Sequence, residues 1–232
     1  MKGKLGILGG MGPLASAEFL NTLYRLNITE PEQEAPVCIL LSDPSFPDRT
    51  EAILKGSTAL LAARLTAALQ ELADHGADRI VIACVTAHHF LDQVPPALRQ
   101  KIVSLIDLVI DEMLAAPGRR LLLTTTGTRT ARIFERHERW AEVAAGVVYP
   151  TAEDQTILHD FLYRMKGGGP GRRCAEWVGA LPGRYGVMGC IFGCTELHLV
   201  RRELEEGELG EGAILDPLIL AARAIPSLLS GA

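Results

Sequence analysis

Two cysteines have the type and setting that best suit acid–base chemistry. Cys84 follows the apolar run Ile80–Ala83, and Cys194 follows the run Gly186–Gly193. Each is expected at the carboxyl end of a strand, where the N–H groups of the next turn favour an anion and can lower a thiol pKa below about 8.5. A thiolate is a base and a thiol is an acid. Two of them facing one substrate carbon could therefore invert a stereocentre without a cofactor.

The cysteines also have structural or metal-binding interpretations. The chain has five, an odd number that favours free thiols in a reducing compartment. Cys38 and Cys174 are interpreted as small buried apolar side chains. Cys190, Cys194 and His198 lie at i, i+4 and i+8, and on one continuous helix they could hold zinc. Because the preceding run is strand-like and Gly193 interrupts a helix there, no metal site is predicted.

The elements that must position these side chains alternate along the chain. Short apolar runs predict strands at Leu5–Leu8, Val37–Leu41, Arg79–Ala83, Ile102–Leu105, Arg120–Thr124, Val147–Tyr149, Gly186–Cys190 and Ala213–Leu215. Amphipathic patterns predict helices at Leu14–Leu26, Ser57–His75, Asp107–Ala115, Thr130–Trp140, Asp154–Met165, Arg172–Leu181 and Asp216–Leu229. This alternation is typical of an α/β fold with mostly parallel sheets.

A weak internal repeat suggests two lobes. A strand followed by cysteine and threonine occurs once at Cys84 and again at Cys194, and Pro117-Gly118 opens a second set of strands near mid-chain. Two similar sheets would each present a cysteine at the edge where open α/β sheets bind ligands.

Composition excludes several functional classes. The 232 residues carry a formal net charge of -5 and contain no run of Lys and Arg, so nucleic-acid binding is not predicted. The apolar start of the chain is short and ends in glycines, which favours a buried strand over a secretory signal. Since no segment approaches the roughly 18 apolar residues of a membrane helix, a cytoplasmic protein without a membrane partner is expected.

Several short motifs occur in order along nearly the whole chain, from near Met1 to Pro217. They are Leu8-Gly9-Gly10-Met11-Gly12-Pro13, Pro47-Asp48-Arg49-Thr50, Cys84-x-Thr86-Ala87-His88, Thr126-Gly127-Thr128, Tyr163-x-x-Lys166-Gly167 and Gly193-Cys194-Thr195-Glu196. Together they resemble the signature segments of the aspartate/glutamate racemase family. One such motif would be weak evidence, but five or six in register are specific.

The resemblance implies two Rossmann-like α/β/α lobes with parallel sheets, related by pseudo-two-fold symmetry around an active-site cleft. The first lobe would comprise residues 1–100 and 206–232, and the second would comprise residues 101–205. Cys84 and Cys194 would be the two bases of a racemase that needs no cofactor. The implied substrate-binding residues are Gly10, Met11, Gly12, Arg49, Val85, Thr86, Thr126, Gly127, Thr128, Lys166, Thr195 and Glu196. The family also implies a homodimer whose small-molecule ligand is an amino acid.

Physical chemistry is compatible with these roles. The Arg49 guanidinium can bind a carboxylate in bidentate fashion, and glycine turns expose backbone N–H groups to anions. Abstraction of a weakly acidic α-proton also requires stabilisation of the developing negative charge. Without the resemblance, Arg49 would be interpreted as a turn residue paired with Asp48, and Lys166 as a solvated helix end.

Val85 departs from the family pattern, in which asparagine follows the first cysteine. Valine offers no hydrogen bond, so an unpaired substrate group would cost about 1–3 kcal/mol. The substrate is therefore aspartate, glutamate or a bulkier or less polar derivative, unless His88 or His89 compensates. A non-catalytic binding protein on the same fold is the alternative.

The glycines after the first strand also suggest a nucleotide-binding interpretation. Gly10-x-Gly12-x-x-Ala15 fits a dinucleotide fingerprint after a strand, but Pro13 occupies the turn and the acidic partner residue is missing at the expected spacing. NAD is therefore not predicted as a cofactor.

Overall fold

The computed structural model describes residues 3–28, 30–207, 209–210 and 212–230. Its strands are β1 (Lys4–Gly9), β2 (Val37–Ser42), β3 (Arg79–Ile82), β4 (Arg120–Thr124), β5 (Val147–Val148), β6 (Gly189–Gly193) and β7 (Ile214–Leu215). Its α-helices are α1 (Pro13–Asn27), α2 (Arg49–Lys55), α3 (Ala59–Asp74), α4 (Pro96–Arg99), α5 (Leu105–Ala115), α6 (Thr126–Thr130), α7 (Trp140–Val143), α8 (Ala152–Lys166), α9 (Gly171–Tyr185), α10 (Arg201–Glu206) and α11 (Pro217–Ser230). Short 3-10 helices include Val85–Gln93 and Thr195–Val200.

The strands form two parallel sheets, which confirms the predicted fold class. The first sheet has the order β2-β1-β3, and the second has the order β5-β4-β6-β7. The order of the first sheet thus recurs in the second, with β4 in the place of β1 and β6 in the place of β3. Each cysteine follows the strand next to the central one, at the carboxyl edge where ligands of open α/β sheets bind.

Alternation along the strands places apolar side chains on both faces of each sheet. Leu5 and Ile7 of β1 face a cluster that also contains Leu122 of β4 and Ile191 of β6. The intervening residues point to the opposite face of each sheet. In the first sheet they pack against α3, and in the second sheet they pack against α8 and α9. Since α1, α5 and α11 also contribute to the shared cluster, a common apolar core joins the two sheets.

The C-terminal segment contacts both sheets. The strand β7 lies in the segment 206–232 predicted for the first lobe, yet it pairs with β6 of the second sheet. The following helix α11 packs against α1 and α5. The lobe boundaries themselves stay a prediction. Among the described residues, no helix is both long and apolar enough to cross a membrane.

Two predicted elements were wrong, and a third was displaced along the chain. The segment 102–105 makes only an isolated bridge from Ile102 to Ile80, because Ser104 caps α5 and Leu105 already begins that helix. The segment 130–140 consists mainly of turns, and Arg132 adopts a positive φ of 52°. A strand was predicted at 186–190, but β6 begins only at Gly189, because Gly186 ends α9 in the left-handed conformation.

Candidate active site

The two cysteines occupy matching positions in the two sheets. Cys84 follows β3 and Cys194 follows β6, and each precedes the first residue of a 3-10 helix in an extended conformation. Both side chains are almost fully buried, with 5% and 4% of their surface exposed. The repeat noticed in the sequence therefore corresponds to equivalent places in the fold.

Hydrogen bonds from the threonines beside the cysteines join the two sheets. Thr195 Oγ1 donates to the carbonyl oxygen of Ala83 over 3.1 Å. Thr86 Oγ1 lies 2.9 Å from Thr128 Oγ1 and 3.3 Å from Thr125 Oγ1, both in the segment that follows β4. Each cysteine-bearing segment thus contacts the opposite sheet, and the edges that carry the cysteines are held together.

Glu196 is the direct partner of one catalytic candidate. Cys194 Sγ donates to Glu196 Oε2 over 2.8 Å, whereas the buried Oε1 of Glu196 has no hydrogen-bond partner. Burial raises the pKa of the Cys194 thiol well above its usual value, the Glu196 carboxylate raises it further, and the charge of Lys166 opposes both. The lowered pKa expected for Cys194 is therefore wrong for this arrangement, in which it is a thiol.

The turn after β1 requires glycine at two positions. Gly10 has φ +86°, and a Cβ atom there would overlap the backbone of Asp43. A Cβ atom on Gly12 would overlap Oε1 of Glu196. The turn therefore lies directly against the carboxylate that holds Cys194.

Arg49 is anchored to main-chain oxygens near this turn. Its Nη2 donates to the carbonyl of Met11 over 2.8 Å, and its Nη1 donates to the carbonyl of Pro47 over 3.0 Å. The guanidinium is buried, and its Nε has no partner. A pairing of Arg49 with Asp48 gains only partial support, because the charge of Arg49 contributes to the lowered pKa of Asp48 without a hydrogen bond between them.

Lys166 lies at the end of α8 and reaches Asp48, the residue that caps α2. Its Nζ is 3.6 Å from Asp48 Oδ2 and 4.1 Å from the centre of the Tyr163 ring. Tyr163 donates its hydroxyl to Asp48 Oδ1 over 2.8 Å. Burial opposes ionisation of Asp48, but hydrogen bonds from Glu51 and Tyr163 and the charge of Lys166 lower its pKa overall. Only 21% of the Lys166 side chain is exposed, so it is not a solvated helix end.

The predicted Thr126-Gly127-Thr128 segment forms the start of α6. Thr125 Oγ1 accepts the Thr128 N–H over 3.1 Å, and Thr126 N–H donates to His159 Nδ1 over 3.4 Å. A Cβ atom on Gly127 would lie 2.6 Å from Thr50 Oγ1, so glycine permits close contact between α6 and α2. This contact brings the Arg49 and Thr128 segments together.

Val85 does not face a polar group. It is 1% exposed and belongs to the apolar cluster shared by both sheets. His88 does not take over the role of the missing asparagine, since its ring nitrogens contact Cys84 O and Leu105 N. His89 instead lies 3.4 Å from an Arg136 nitrogen.

The zinc alternative is not supported by the geometry. Both nitrogens of His198 are engaged, Nδ1 with Asp216 Oδ2 at 2.6 Å and Nε2 with Thr22 Oγ1 at 2.9 Å. Over the part of the chain that the structure describes, no three His, Cys, Asp or Glu side chains are grouped to hold a metal ion.

Three residues outside the predicted substrate-binding set shape this site, and Asp48 and Tyr163 stood in the sequence motifs without a predicted role there. Thr125 contacts Thr86, while Asp48 contacts both Tyr163 and Lys166 of α8. The signals were present, because threonine follows an apolar strand at Thr125 and an N-capping aspartate precedes α2.

The two sets of parallel strands match the two-lobe fold of aspartate and glutamate racemases. The chain belongs to the Asp/Glu/Hydantoin racemase family, whose model matches residues 8–225. The aspartate racemase of Picrophilus torridus superposes with a TM-score of 0.79 at 24% identity, covering 98% of this chain and 99% of that one. An aspartate racemase homologue from Pyrococcus horikoshii OT3 gives a TM-score of 0.72 at 24% identity, covering 99% and 100%.

A more distant match extends the same fold. Glutamate racemase from Campylobacter jejuni subsp. jejuni has a TM-score of 0.60 at 17% identity, covering 97% of this chain and 85% of that one. Family and fold together support an amino-acid racemase function for this chain.

Proposed function

We propose that this chain is a cofactor-independent racemase or epimerase of an amino acid with an acidic side chain, either aspartate, glutamate or a derivative. Cys84 and Cys194 exchange the roles of base and acid. The observation that carries the proposal is two buried atoms without partners: a donor at Arg49 Nε, whose guanidinium is bonded to the turn after β1, and an acceptor at Glu196 Oε1, whose other carboxylate oxygen binds Cys194. An amino acid offers a carboxylate to the first and an ammonium group to the second.

The proton inventory of the reaction balances. When Cys194 acts as the base, its thiol proton passes to Glu196 and its sulfur takes the α-proton of the substrate. Cys84, as a thiol, returns a proton to the opposite face and becomes a thiolate. The reverse reaction then begins from Cys84.

The surrounding groups stabilise the charge that develops. Arg49 and Lys166 bind substrate carboxylates, and the N–H groups of the turns at Gly10-Met11-Gly12 and Thr126-Gly127-Thr128 add donors. Thr86, Thr195 and Glu196 hold the cysteine-bearing segments. To bind the substrate, Lys166 exchanges part of its contact with Asp48 for the substrate anion.

Val85 bears on which substrate fits. Its side chain fills apolar space where the family resemblance implies an asparagine. A less polar or bulkier derivative of an acidic amino acid is therefore the second candidate substrate. A non-catalytic binding protein is the second candidate function. We further propose that the protein is a homodimer, as the family resemblance implies. Its free cysteines favour a location in the cytoplasm.

The test is proton NMR of the purified protein in D₂O without added cofactor. Its panel contains L- and D-aspartate, L- and D-glutamate, and apolar and N-modified amino acids. Loss of the α-proton signal together with formation of the other enantiomer is the expected result. A pure binder would exchange no α-proton with any member.

The matched variants are three single cysteine substitutions. Cys84→Ala and Cys194→Ala should each abolish racemisation, whereas Cys38→Ala should retain it, because Cys38 lies in β2 and is only half-buried. Normal racemisation by either Cys84→Ala or Cys194→Ala would exclude the two-base assignment.

A further inference from the structure

A buried histidine lies four residues after Cys84 and contacts its main chain. His88 Nδ1 is 3.1 Å from the carbonyl oxygen of Cys84, and Nε2 is 3.2 Å from the backbone nitrogen of Leu105. A carbonyl only accepts and a backbone N–H only donates, so Nδ1 carries the proton and Nε2 accepts. Burial lowers the pKa of His88, which agrees with this neutral tautomer.

The carbonyl of Cys84 is thereby held by two donors. Ala87 N–H also donates to it over 3.2 Å, at the start of the 3-10 helix. The peptide plane after Cys84 is fixed from two directions, which restrains the backbone of Cys84 and therefore the position from which its side chain projects.

Cys194 is held differently at the matching position. Its carbonyl accepts from Leu197 N–H over 3.2 Å, but His198, also four residues on, turns to Asp216 and Thr22. The Cys194 thiol is oriented by its own side-chain bond to Glu196. One cysteine is therefore positioned through its main chain, and the other is positioned through its thiol.

His88 acts from outside the substrate-binding residues. It lines an open cavity of about 360 Å³ whose other walls include Leu91, Ile102 and Ile133. None of the predicted substrate-binding residues lines this cavity. Its ring can therefore influence the reaction only through Cys84 and the start of α5.

We infer that His88 is a positioning residue for Cys84, and that its bond to the Cys84 carbonyl holds in place the backbone that carries the thiol during proton transfer. The inference rests on the proposed racemase function. It assigns His88 a role in only one of the two proton transfers, because Cys194 is oriented independently of it.

Two conservative variants separate the contacts of His88. In His88→Asn, the amide nitrogen replaces Nδ1 and retains the donor to Cys84. In His88→Gln, the amide oxygen replaces Nε2 and retains the acceptor for Leu105. Both variants lose one contact of similar strength, so their urea-denaturation midpoints should fall alike. His75→Gln is the control, because His75 also contacts a carbonyl, that of Glu71, but on an exposed helix end.

We expect His88→Asn and His88→Gln to differ in activity but not in stability. The substrate is the amino acid identified by the NMR exchange experiment. With it, His88→Gln should lower kcat about tenfold, whereas the kcat of His88→Asn should stay within about threefold of the native value. Because enantiomers have equal free energies, kcat/KM must remain equal in the two directions. The asymmetry is therefore measured with α-deuterated L and D substrates, and His88→Gln should raise the primary isotope effect for one enantiomer only.

Each contrary outcome has a distinct meaning. If the native protein exchanges no α-proton, the proposed function fails. If the native protein racemises but the Asn and Gln variants are equally active, or if the isotope effects of both enantiomers change alike, the positioning role of His88 is overturned.

Discussion

Thr195 donates its hydroxyl to the carbonyl oxygen of Ala83, so the residue after Cys194 is bonded to the residue before Cys84. This single contact spans 112 positions of the chain and joins the cysteine-bearing edges of both sheets. It is buried, and the strength of a buried hydrogen bond depends on both partners remaining in place.

Replacement of Thr195 by valine removes the donor and leaves the shape nearly unchanged. We expect a loss of about 1 kcal/mol in the free energy of unfolding and a fall in kcat, because one of the hydrogen bonds that join the two edges is lost. Thr195→Ser should retain most of both properties. Thr156→Val is the control, because its hydroxyl contacts a carbonyl within an exposed helix face. Urea denaturation and turnover measure the two effects, and wild-type values for Thr195→Val would contradict the role.

Replacement of Glu196 by glutamine removes the charge beside Cys194. Because that carboxylate raises the pKa of the thiol, Glu196→Gln should lower the pKa of Cys194. Alkylation of Cys194 by iodoacetamide, followed by mass spectrometry as a function of pH, reports this shift. Turnover should nevertheless fall about a hundredfold, in the range lost with a general acid or base, because the proton acceptor is lost. An unchanged alkylation profile would show that the carboxylate does not control the thiol.

Replacement of Gly12 by alanine introduces a methyl group where the Glu196 carboxylate lies. The carboxylate must move, so we expect kcat to fall at least tenfold. Gly183→Ala is the matched control, since a Cβ atom there meets nothing within 4 Å in helix α9. That substitution should stabilise the protein by about 0.5–1 kcal/mol and leave activity intact. Full activity of Gly12→Ala would show that the contact tolerates displacement.

The buried His198–Asp216 pair should make stability depend on pH. Burial lowers the pKa of His198, but Asp216 outweighs it, with a smaller contribution from Glu18, so the pKa is raised overall despite the opposing charge of Arg201. A raised folded-state pKa adds stability that is fully present below the unfolded value of about 6.5 and is lost as pH rises through the folded value. Urea denaturation from about pH 6 to about pH 8 should show this decline in the native protein and a flatter profile in His198→Gln. If the native protein and His198→Gln lost stability in parallel with pH, the His198–Asp216 pair would not be the source of the pH dependence.

The sequence by itself determined the alternation of strands and helices, the two sheets, and the place of each cysteine after a strand. These features follow from local periodicity and from the edge at which parallel strands end. The same local logic failed at 102–105 and 130–140. In the first segment the cap at Ser104 began a helix, and in the second, turns brought Ile133 and Phe134 into the core without a helical period.

Only the tertiary structure decided how the site is assembled. The bonds from Cys194 to Glu196 and from Lys166 to Asp48 depend on side-chain direction, which spacing along the chain does not specify. The burial of Val85 in the shared apolar cluster and the turning of His88 towards the Cys84 carbonyl depend on how both sheets pack. Residues far apart in the chain share these contacts, so they exist only once the two sheets close on their common core.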